Sequence, residues 1–200
     1  WKKFGVKMVV REGWGNHYLL DLPWMSFDQI LANLAEAYAR GFIAGYGEGS
    51  KSFATQAPNQ WAVVRMLWDP ERDAAKTMDD FFASAYGPAA AEMRAYFETW
   101  NQALNENWPK RRKVMDTPGM PYVNVINSWS IVFPKGVVAN AEARLKAAEA
   151  KAPKGEYAER IAFHRFGHDY AAALLELLDC YRQLREFGLE LEGFAPEGVA

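Results

Sequence analysis

The sequence predicts an α/β unit followed by a mostly α-helical domain. A β-branched apolar run at residues 6–10 and a second short apolar run at residues 42–46 flank an amphipathic helical pattern at residues 26–40. Beyond residue 50, apolar residues recur at helical spacing almost to the end of the chain. A strand, a crossover helix and a second strand within about forty residues form a βαβ unit, so we expect the two strands to be parallel.

The helical pattern between the two runs has a start signal and an end signal. Ser26 is expected to cap the helix, and Gln29 stands three positions later, which is the spacing of a capping box. Gly41 is expected to end the helix. The residues at helical spacing on its apolar face are Phe27, Ile30, Leu31, Leu34 and Tyr38.

Five further helices are predicted downstream. They cover residues 59–68, 73–86, 88–107, 137–152 and 156–187. An irregular stretch is expected at residues 108–136. The predicted organisation is a βαβ unit at residues 1–55, a helical module at 56–192 and a loose tail at 193–200.

A parallel sheet of only two strands would be unusual. Parallel sheets are normally larger and buried on both faces, whereas two strands leave both edges open. The chain also opens at Trp1 rather than at a methionine, within a region that looks structured. We therefore expect residues 1–50 to be the last βαβ unit of a larger sheet or barrel whose earlier strands lie upstream.

Composition argues against two classes of partner. The net charge of −2 disfavours nucleic acid, which requires a concentrated basic face, and the basic run at residues 110–113 is better interpreted as a solvated loop or helix end. No apolar run approaches the ~18 residues of a membrane span. The single cysteine, Cys180, excludes an internal disulfide and lies in an apolar stretch, so we expect a buried thiol.

Two histidines are spaced as in some zinc sites. His164 and His168 are four residues apart, but the zinc-protease pattern requires a glutamate directly after the first histidine, where this chain has Arg165. No third ligand is evident in the sequence. A hydrogen-bonded pair at a helix packing surface is the preferred interpretation, and no metal or cofactor is predicted.

Two glutamates mark a candidate catalytic site. Glu12 follows the first predicted strand, and Glu48 follows the second within the glycine-rich sequence GYGEGS. Because the carboxyl ends of parallel strands meet at one edge, we expect the two carboxylates to lie about 5–10 Å apart, the range used in glycoside hydrolysis. One would protonate the leaving oxygen while the other attacks or activates water. The open alternative is that Glu48 is a solvated loop residue whose glycines serve turn geometry.

Aromatic residues are close to these glutamates in the sequence. Flat aromatic faces pack against sugar rings, while polar edges and amides bind hydroxyl groups. The open alternative is that these aromatic residues pack the helical part against the sheet. The candidate sugar-contacting residues are Trp14, His17, Tyr18 and Tyr46.

Residues 61–98 resemble a known family. The segment is WAVVRMLWDPERDAAKTMDDFFASAYGPAAAEMRAYFE, and the resemblance continues in IVFPKGVVANAEARLKAAEA and, more weakly, in RIAFHRFGHDY. These segments resemble the C-terminal helical module, of unknown function, that accompanies glycosidase-like barrels in bacterial proteins related to α-glucuronidases.

The resemblance implies that residues 1–50 are the last two strands of a (β/α)8 barrel. It aligns Glu12 with an acidic residue of the family and adds Asn16 to the expected substrate-binding residues. It also implies an upstream barrel portion as a partner within the same protein and favours an exported or periplasmic location. Arg11 and Gly13 stand where the family has aromatic neighbours, and Glu48 is supported by strand geometry alone.

The leading hypothesis is part of a carbohydrate-active protein, a glycoside hydrolase using carboxylate acid–base chemistry on a carbohydrate substrate. The alternative is a non-catalytic helical module that binds glycan or braces a neighbouring domain. The sequence leaves open the sugar, the linkage, retention or inversion, and whether the main catalytic acid lies upstream.

Overall fold

The computed structural model describes residues 2–13, 21–48, 52–116 and 128–187, which are mostly helical. The first part contains a short 3-10 helix (Lys2–Phe4), strand β1 (Met8–Gly13), helix α1 (Phe27–Ala39) and strand β2 (Phe42–Glu48). The second part contains α2 (Phe53–Trp68), α3 (Ala74–Tyr86), the 3-10 turn Gly87–Ala89, α4 (Ala90–Met115), α5 (Trp129–Val132), α6 (Lys135–Lys151) and α7 (Glu156–Glu186). The helical domain and a small parallel sheet are therefore confirmed, while the barrel stays a prediction.

Strands β1 and β2 pair in parallel, as the βαβ pattern predicts. The register runs from Met8 opposite Phe42 to Gly13 opposite Glu48, with an irregularity between Met8 and Val9. Both strands continue beyond their predicted ends at residues 10 and 46, because backbone pairing extends to Gly13 on β1 and Glu48 on β2. Glu12 and Glu48 are consequently the second-to-last and last residues of their strands, rather than loop residues that follow them.

Helix α1 buries the apolar face predicted for it, with one exception. The buried residues are Phe27, Ile30, Leu31 and Leu34. Tyr38, at the end of the same face, is 44% exposed, and its hydroxyl donates a hydrogen bond to Glu71 Oε1 at 3.0 Å. The last turn of α1 therefore lies at the surface.

The predicted capping box at the start of α1 is wrong. The Ser26 side chain makes no capping hydrogen bond, and Gln29 Nε2 instead donates to Asn33 Oδ1 at 2.7 Å. The reason is a competing contact from α2. The Ser26 backbone N–H donates to Asn59 Oδ1 at 3.1 Å, so the backbone donor that Gln29 would have bound is already satisfied.

Buried polar side chains of α2 hold the segment that leads into α1. Thr55 Oγ1 donates to the carbonyl of Asp21 at 2.9 Å, and Gln56 Nε2 donates to the carbonyl of Leu22 at 3.1 Å. Helix α2 starts at Phe53, six residues before its predicted start, and is kinked at Gln56, two residues before Pro58. The first turn of α2 is therefore stabilised by hydrogen bonds to backbone carbonyls of the segment before α1.

Helix α4 continues through Pro109 to Met115, although an irregular stretch was predicted from residue 108. Tertiary contacts on both sides of the proline account for this. The Trp108 ring centroid lies 5.2 Å from that of Trp24, and the Arg111 guanidinium lies 3.8 Å from the centroid of Trp129. These long-range contacts stabilise a turn that local propensity disfavours.

One apolar core extends from α1 to α7. Helix α2 packs on both α1 and α7, and α4 packs on α3, α5 and α6. The largest side chains that are fully buried in this core include Tyr86, Tyr96, Phe97, Trp100, Trp129 and Phe133. The predicted boundary at residue 55 therefore lies within a continuous packing unit, and the division into two domains stays a prediction.

The position of Cys180 differs from the prediction. Cys180 is exposed, so the predicted buried thiol is wrong. The buried side of α7 is occupied by Leu175 and Leu178, and Cys180 projects from another side of the helix. None of the described helices has the combination of length and apolar character needed to cross a membrane.

Gly167 permits the close approach of α7 to α2, and substituting it tests the packing. A Cβ atom at this position would lie 2.9 Å from Ala54 Cβ and 3.0 Å from the Ala54 backbone carbonyl. We expect Gly167→Ala to lower the free energy of unfolding by about 1–3 kcal/mol in urea denaturation, because the two helices must separate.

Gly136→Ala is the matched control, since no atom lies within 4 Å of the added Cβ and the site is also helical. It should be neutral or stabilising by up to about 1 kcal/mol. Equal effects of the two substitutions would contradict the close-packing argument.

Candidate functional site

The register brings the two predicted catalytic positions to the same edge of the sheet. Glu12 lies opposite Gly47, and Glu48 lies opposite Gly13, so the two glutamates are one step apart along the ladder. Both are at the carboxyl end of their strands. Their side chains lie outside the described part of the structure, and their catalytic roles stay predictions.

Most of the predicted substrate-binding residues fall in the segment between β1 and α1. Trp14, Asn16, His17 and Tyr18 lie outside the described residues. Tyr46 is described: it lies on β2 opposite Arg11, and 59% of its surface is exposed. Its phenol is therefore accessible near the strand end, where a substrate contact was predicted.

His164 is a buried structural residue that joins three helices. Its Nδ1 donates to the carbonyl of Ala54 on α2 at 2.7 Å, and its Nε2 accepts from the hydroxyl of Tyr86 on α3 at 2.8 Å. This donor–acceptor pattern requires the neutral imidazole. Burial lowers the pKa of His164 to about 4, so the ring stays neutral through the physiological range.

His168 belongs to a charged cluster between α6 and α7. Its Nε2 lies 3.1 Å from Glu142 Oε2, and burial lowers its pKa. Arg165 contacts Glu142 and also donates to Glu149 at 2.8 Å. Burial opposes the ionisation of Glu142, but hydrogen bonds from Arg165 and Lys146 outweigh it, and the pKa of Glu142 is lowered.

The two histidines do not bond each other, so the predicted hydrogen-bonded pair is wrong in detail. Each instead bonds a different neighbouring helix, because residues four apart on α7 face separate partners, Tyr86 of α3 and Glu142 of α6. The prediction that both lie at a helix packing surface is confirmed.

The charged cluster has ligand atoms at metal-like spacing. One atom each from Glu142, His168 and Asp169 lies within 4.8 Å of the others. However, the Arg165 guanidinium contacts both carboxylates, at 3.3 Å in the case of Asp169, and supplies the positive charge that a cation would bring. The arrangement fits an ion-pair network that joins α6 to α7, and Arg165, which breaks the zinc pattern in the sequence, is its centre.

A cleft of about 760 Å³ lies next to this cluster and was not predicted from the sequence. Phe133, Val138 and Leu175 contribute apolar wall, and His168 lies at one end. At the other end, Arg182 donates to Asp179 at 2.8 Å. At each end the charged groups pair locally, Glu142 with His168 and Asp179 with Arg182, and the groove between the two ends is mainly apolar.

The neutral state of His164 has a consequence for stability. Because its pKa in the folded state lies below the ordinary value of 6.5, the unfolded chain binds a proton between about pH 6.5 and 4 that the native state does not. Stability should therefore fall as pH decreases through this window, and His164 should contribute about 2 kcal/mol of that loss between pH 7.5 and 5.0.

The variant His164→Gln tests this assignment by urea denaturation at both pH values. It should be less stable than wild type at pH 7.5, since it disturbs the bonds to Tyr86 and Ala54, and its stability should change less on acidification. An unchanged pH dependence in the variant would show that His164 does not carry the proton linkage.

Comparisons with known proteins give one match. Residues 2–99 match the family described as a domain of unknown function (DUF4838). The match covers β1 to the middle of α4 and crosses the predicted domain boundary at residue 55. No curated protein and no solved structure matches the chain. Over residues 2–99, just under half of its length, this chain is therefore similar to a domain of unknown function.

Proposed function

We propose that this chain is part of a carbohydrate-active protein, and specifically of a glycoside hydrolase that works through carboxylate acid–base chemistry. The observation that carries the proposal is the parallel register of β1 and β2, which brings Glu12 and Glu48 to one edge of the sheet. In α/β barrels, catalytic residues lie at this carboxyl edge.

The distance between the backbones at positions 12 and 48 determines how the two carboxylates can approach each other. Neighbouring strands lie about 4.8 Å apart and each residue rises about 3.3 Å, so positions on adjacent strands one step apart have backbones about 6 Å from each other. In a regular ladder, however, positions one step apart direct their side chains to opposite faces of the sheet. The separations of about 5–5.5 Å for retention or about 6.5–9.5 Å for inversion therefore require Glu48, the last residue of β2, to reach over the end of the strand. One carboxyl group would act as the acid, and the other as the base or nucleophile.

The proposed substrate-binding residues surround this edge in the sequence. Tyr46 presents its phenol on β2, and Trp14, Asn16, His17 and Tyr18 follow β1 directly. The aromatic side chains would pack on sugar rings, and the amide and imidazole would bind hydroxyl groups. We assign no metal or cofactor to this chemistry.

The exposed apolar surface of the sheet supports a barrel partner from the same polypeptide. Ile43 on β2 is 63% exposed, Val9 on β1 is exposed as well, and so are Phe4 and Val6 in the segment that leads into β1. A two-stranded parallel sheet with apolar exposed residues is suited to pairing with further strands and to burial on its open face. Such strands would complete a (β/α)8 barrel with β1 and β2 at its end.

A second candidate function is supported by the same surface. A non-catalytic module could use the exposed sheet residues to brace a neighbouring domain, or could bind glycan without hydrolysing it. The continuous core from α1 to α7 would make such a module rigid. The two candidates differ in one respect, because only the hydrolase requires Glu12 and Glu48 to be chemically active.

Charge-neutral substitutions test the catalytic pair. In the native polypeptide, Glu12→Gln and Glu48→Gln should each lower kcat/KM on p-nitrophenyl glycosides by about 10²–10⁴-fold, since each removes a proton-transferring or nucleophilic group. Circular dichroism and thermal unfolding should match wild type. The matched control is Glu106→Gln, on the exposed side of α4, which should leave the rate unchanged.

Unchanged rates in both active-site variants would overturn the hydrolase assignment and favour the bracing or binding module. Loss of activity in only one variant would assign the chemistry to that residue and place its partner elsewhere in the protein.

A further inference from the structure

A small cleft at the end of α2 carries a second binding feature. It has a volume of about 490 Å³ and is lined by Tyr38, Arg65, Trp68, Asp69, Pro70 and Glu71. Tyr38 comes from the last turn of α1, and the other five residues come from the last turn of α2 and the turn that follows it. The cleft therefore combines two elements that the core holds in fixed positions.

Trp68 is unlike the other tryptophans of the described chain. It is 86% exposed, whereas Trp100 and Trp129 are fully buried and Trp24, Trp61 and Trp108 pack against the core. Tryptophan is highly buried on average, and an exposed indole commonly marks a binding surface. No contact within the described residues therefore accounts for the exposure of Trp68.

An ordered turn holds the Trp68 backbone in place. The Asp69 N–H donates to the carbonyl of Arg65 at 2.9 Å and ends α2, and the Arg72 N–H donates to the carbonyl of Asp69 at 3.2 Å. Pro70 stands inside this turn and restricts its backbone further. The loss of backbone freedom on binding is accordingly small.

Polar groups of both donor and acceptor type face the same cleft. Tyr38 donates to Glu71, and this hydrogen bond raises the pKa of Tyr38, so the hydroxyl stays protonated. The Nε of Arg65 is buried and has no hydrogen-bond acceptor in the described part of the structure. Asp69 and Glu71 supply carboxylate oxygens. A ligand with several hydroxyl groups could bond the carboxylates and the Tyr38 hydroxyl oxygen from the open side of the cleft, whereas the buried Arg65 Nε is out of its reach.

The charge of the cleft selects among hydroxyl-rich ligands. One guanidinium, from Arg65, stands against two carboxylates, from Asp69 and Glu71, so the lining is slightly acidic. A polyanion would be repelled, whereas a neutral sugar can stack on the exposed indole and exchange hydrogen bonds with both signs of charge. We propose that the Trp68 cleft is a binding site for neutral oligosaccharides.

The cleft is separate from the strand ends that carry Glu12 and Glu48. Helix α1 ends at Ala39, just before β2 begins at Phe42, so Tyr38 lies near the amino edge of the sheet. Six residue steps along β2 separate that edge from Glu48, which corresponds to about 20 Å. The site would hold a polysaccharide away from the proposed catalytic edge. The choice of a sugar as the ligand rests on the function proposed above, whereas the cleft itself does not.

Affinity electrophoresis of the native polypeptide tests this site. Gels containing xylan or barley β-glucan supply neutral or near-neutral chains, and gels containing polygalacturonate supply a polyanion. Wild type should be retarded by at least one of the first two and not by polygalacturonate. Trp68→Ala should weaken that retardation about tenfold in apparent dissociation constant, and Trp68→Phe should restore part of it.

Phe166→Ala is the matched control, since Phe166 is also an exposed aromatic residue (71%) but lies on α7 outside the cleft. It should bind as wild type does. Both aromatic variants should keep the wild-type thermal stability, because neither side chain is buried.

Three results would overturn the proposal. These are no retardation of wild type by any neutral polysaccharide, equal retardation of wild type and Trp68→Ala, or dimerisation of wild type that Trp68→Ala abolishes. The last would show that the indole covers a second copy of the chain. Glu12→Gln and Glu48→Gln should keep the retardation, so failure of this site and failure of the catalytic proposal give different patterns.

Discussion

The buried imidazole of His164 is the contact on which the helical packing depends. It joins α7 to the backbone of α2 through Ala54 and to α3 through Tyr86, and it does so only while neutral. The Tyr86 ring and the His164 ring also pack against Phe97 on α4. One polar group thereby fixes the relative positions of four helices inside an otherwise apolar and aromatic core, where a mispaired donor would be costly.

Helix α2 transmits this order to the βαβ unit. One side of it contacts α7, and its buried amides and hydroxyl bind the backbone of the segment before α1. Asn59 Nδ2 donates to the carbonyl of Trp24, and Asn59 Oδ1 accepts from the N–H of Ser26. The crossover helix, and with it the strands, is oriented by the helical part. This dependence explains how two strands remain ordered with so little sheet around them.

The structural features that depend on interactions between residues close in sequence were predictable from sequence patterns. The parallel strands and the buried face of α1 follow from the strand–helix–strand order and from helical periodicity. Long-range contacts decided the remainder. The extension of α4 past Pro109 needs Trp24 and Trp129, and the displaced capping box needs Asn59.

Exposure at Trp68 and Cys180 depends on which side of a helix meets a neighbour, which spacing alone does not determine. At the candidate site, the placement of Glu12 and Glu48 at one edge of the sheet was predictable because it follows from parallel strand direction, whereas their register was not. The Trp68 cleft was not predictable either, since it combines residues thirty positions apart in the sequence.

The close contact between Ala54 and Gly167 also restricts how this sequence can change over evolutionary time. A residue larger than glycine at position 167 collides with Ala54, and moving α7 away from α2 to relieve the collision would also separate His164 from the Ala54 carbonyl. Positions 54, 164 and 167 are thus coupled: a substitution at one of them destabilises the helix packing unless the others change to compensate. Related chains that keep this interhelical distance are therefore expected to keep all three residues together.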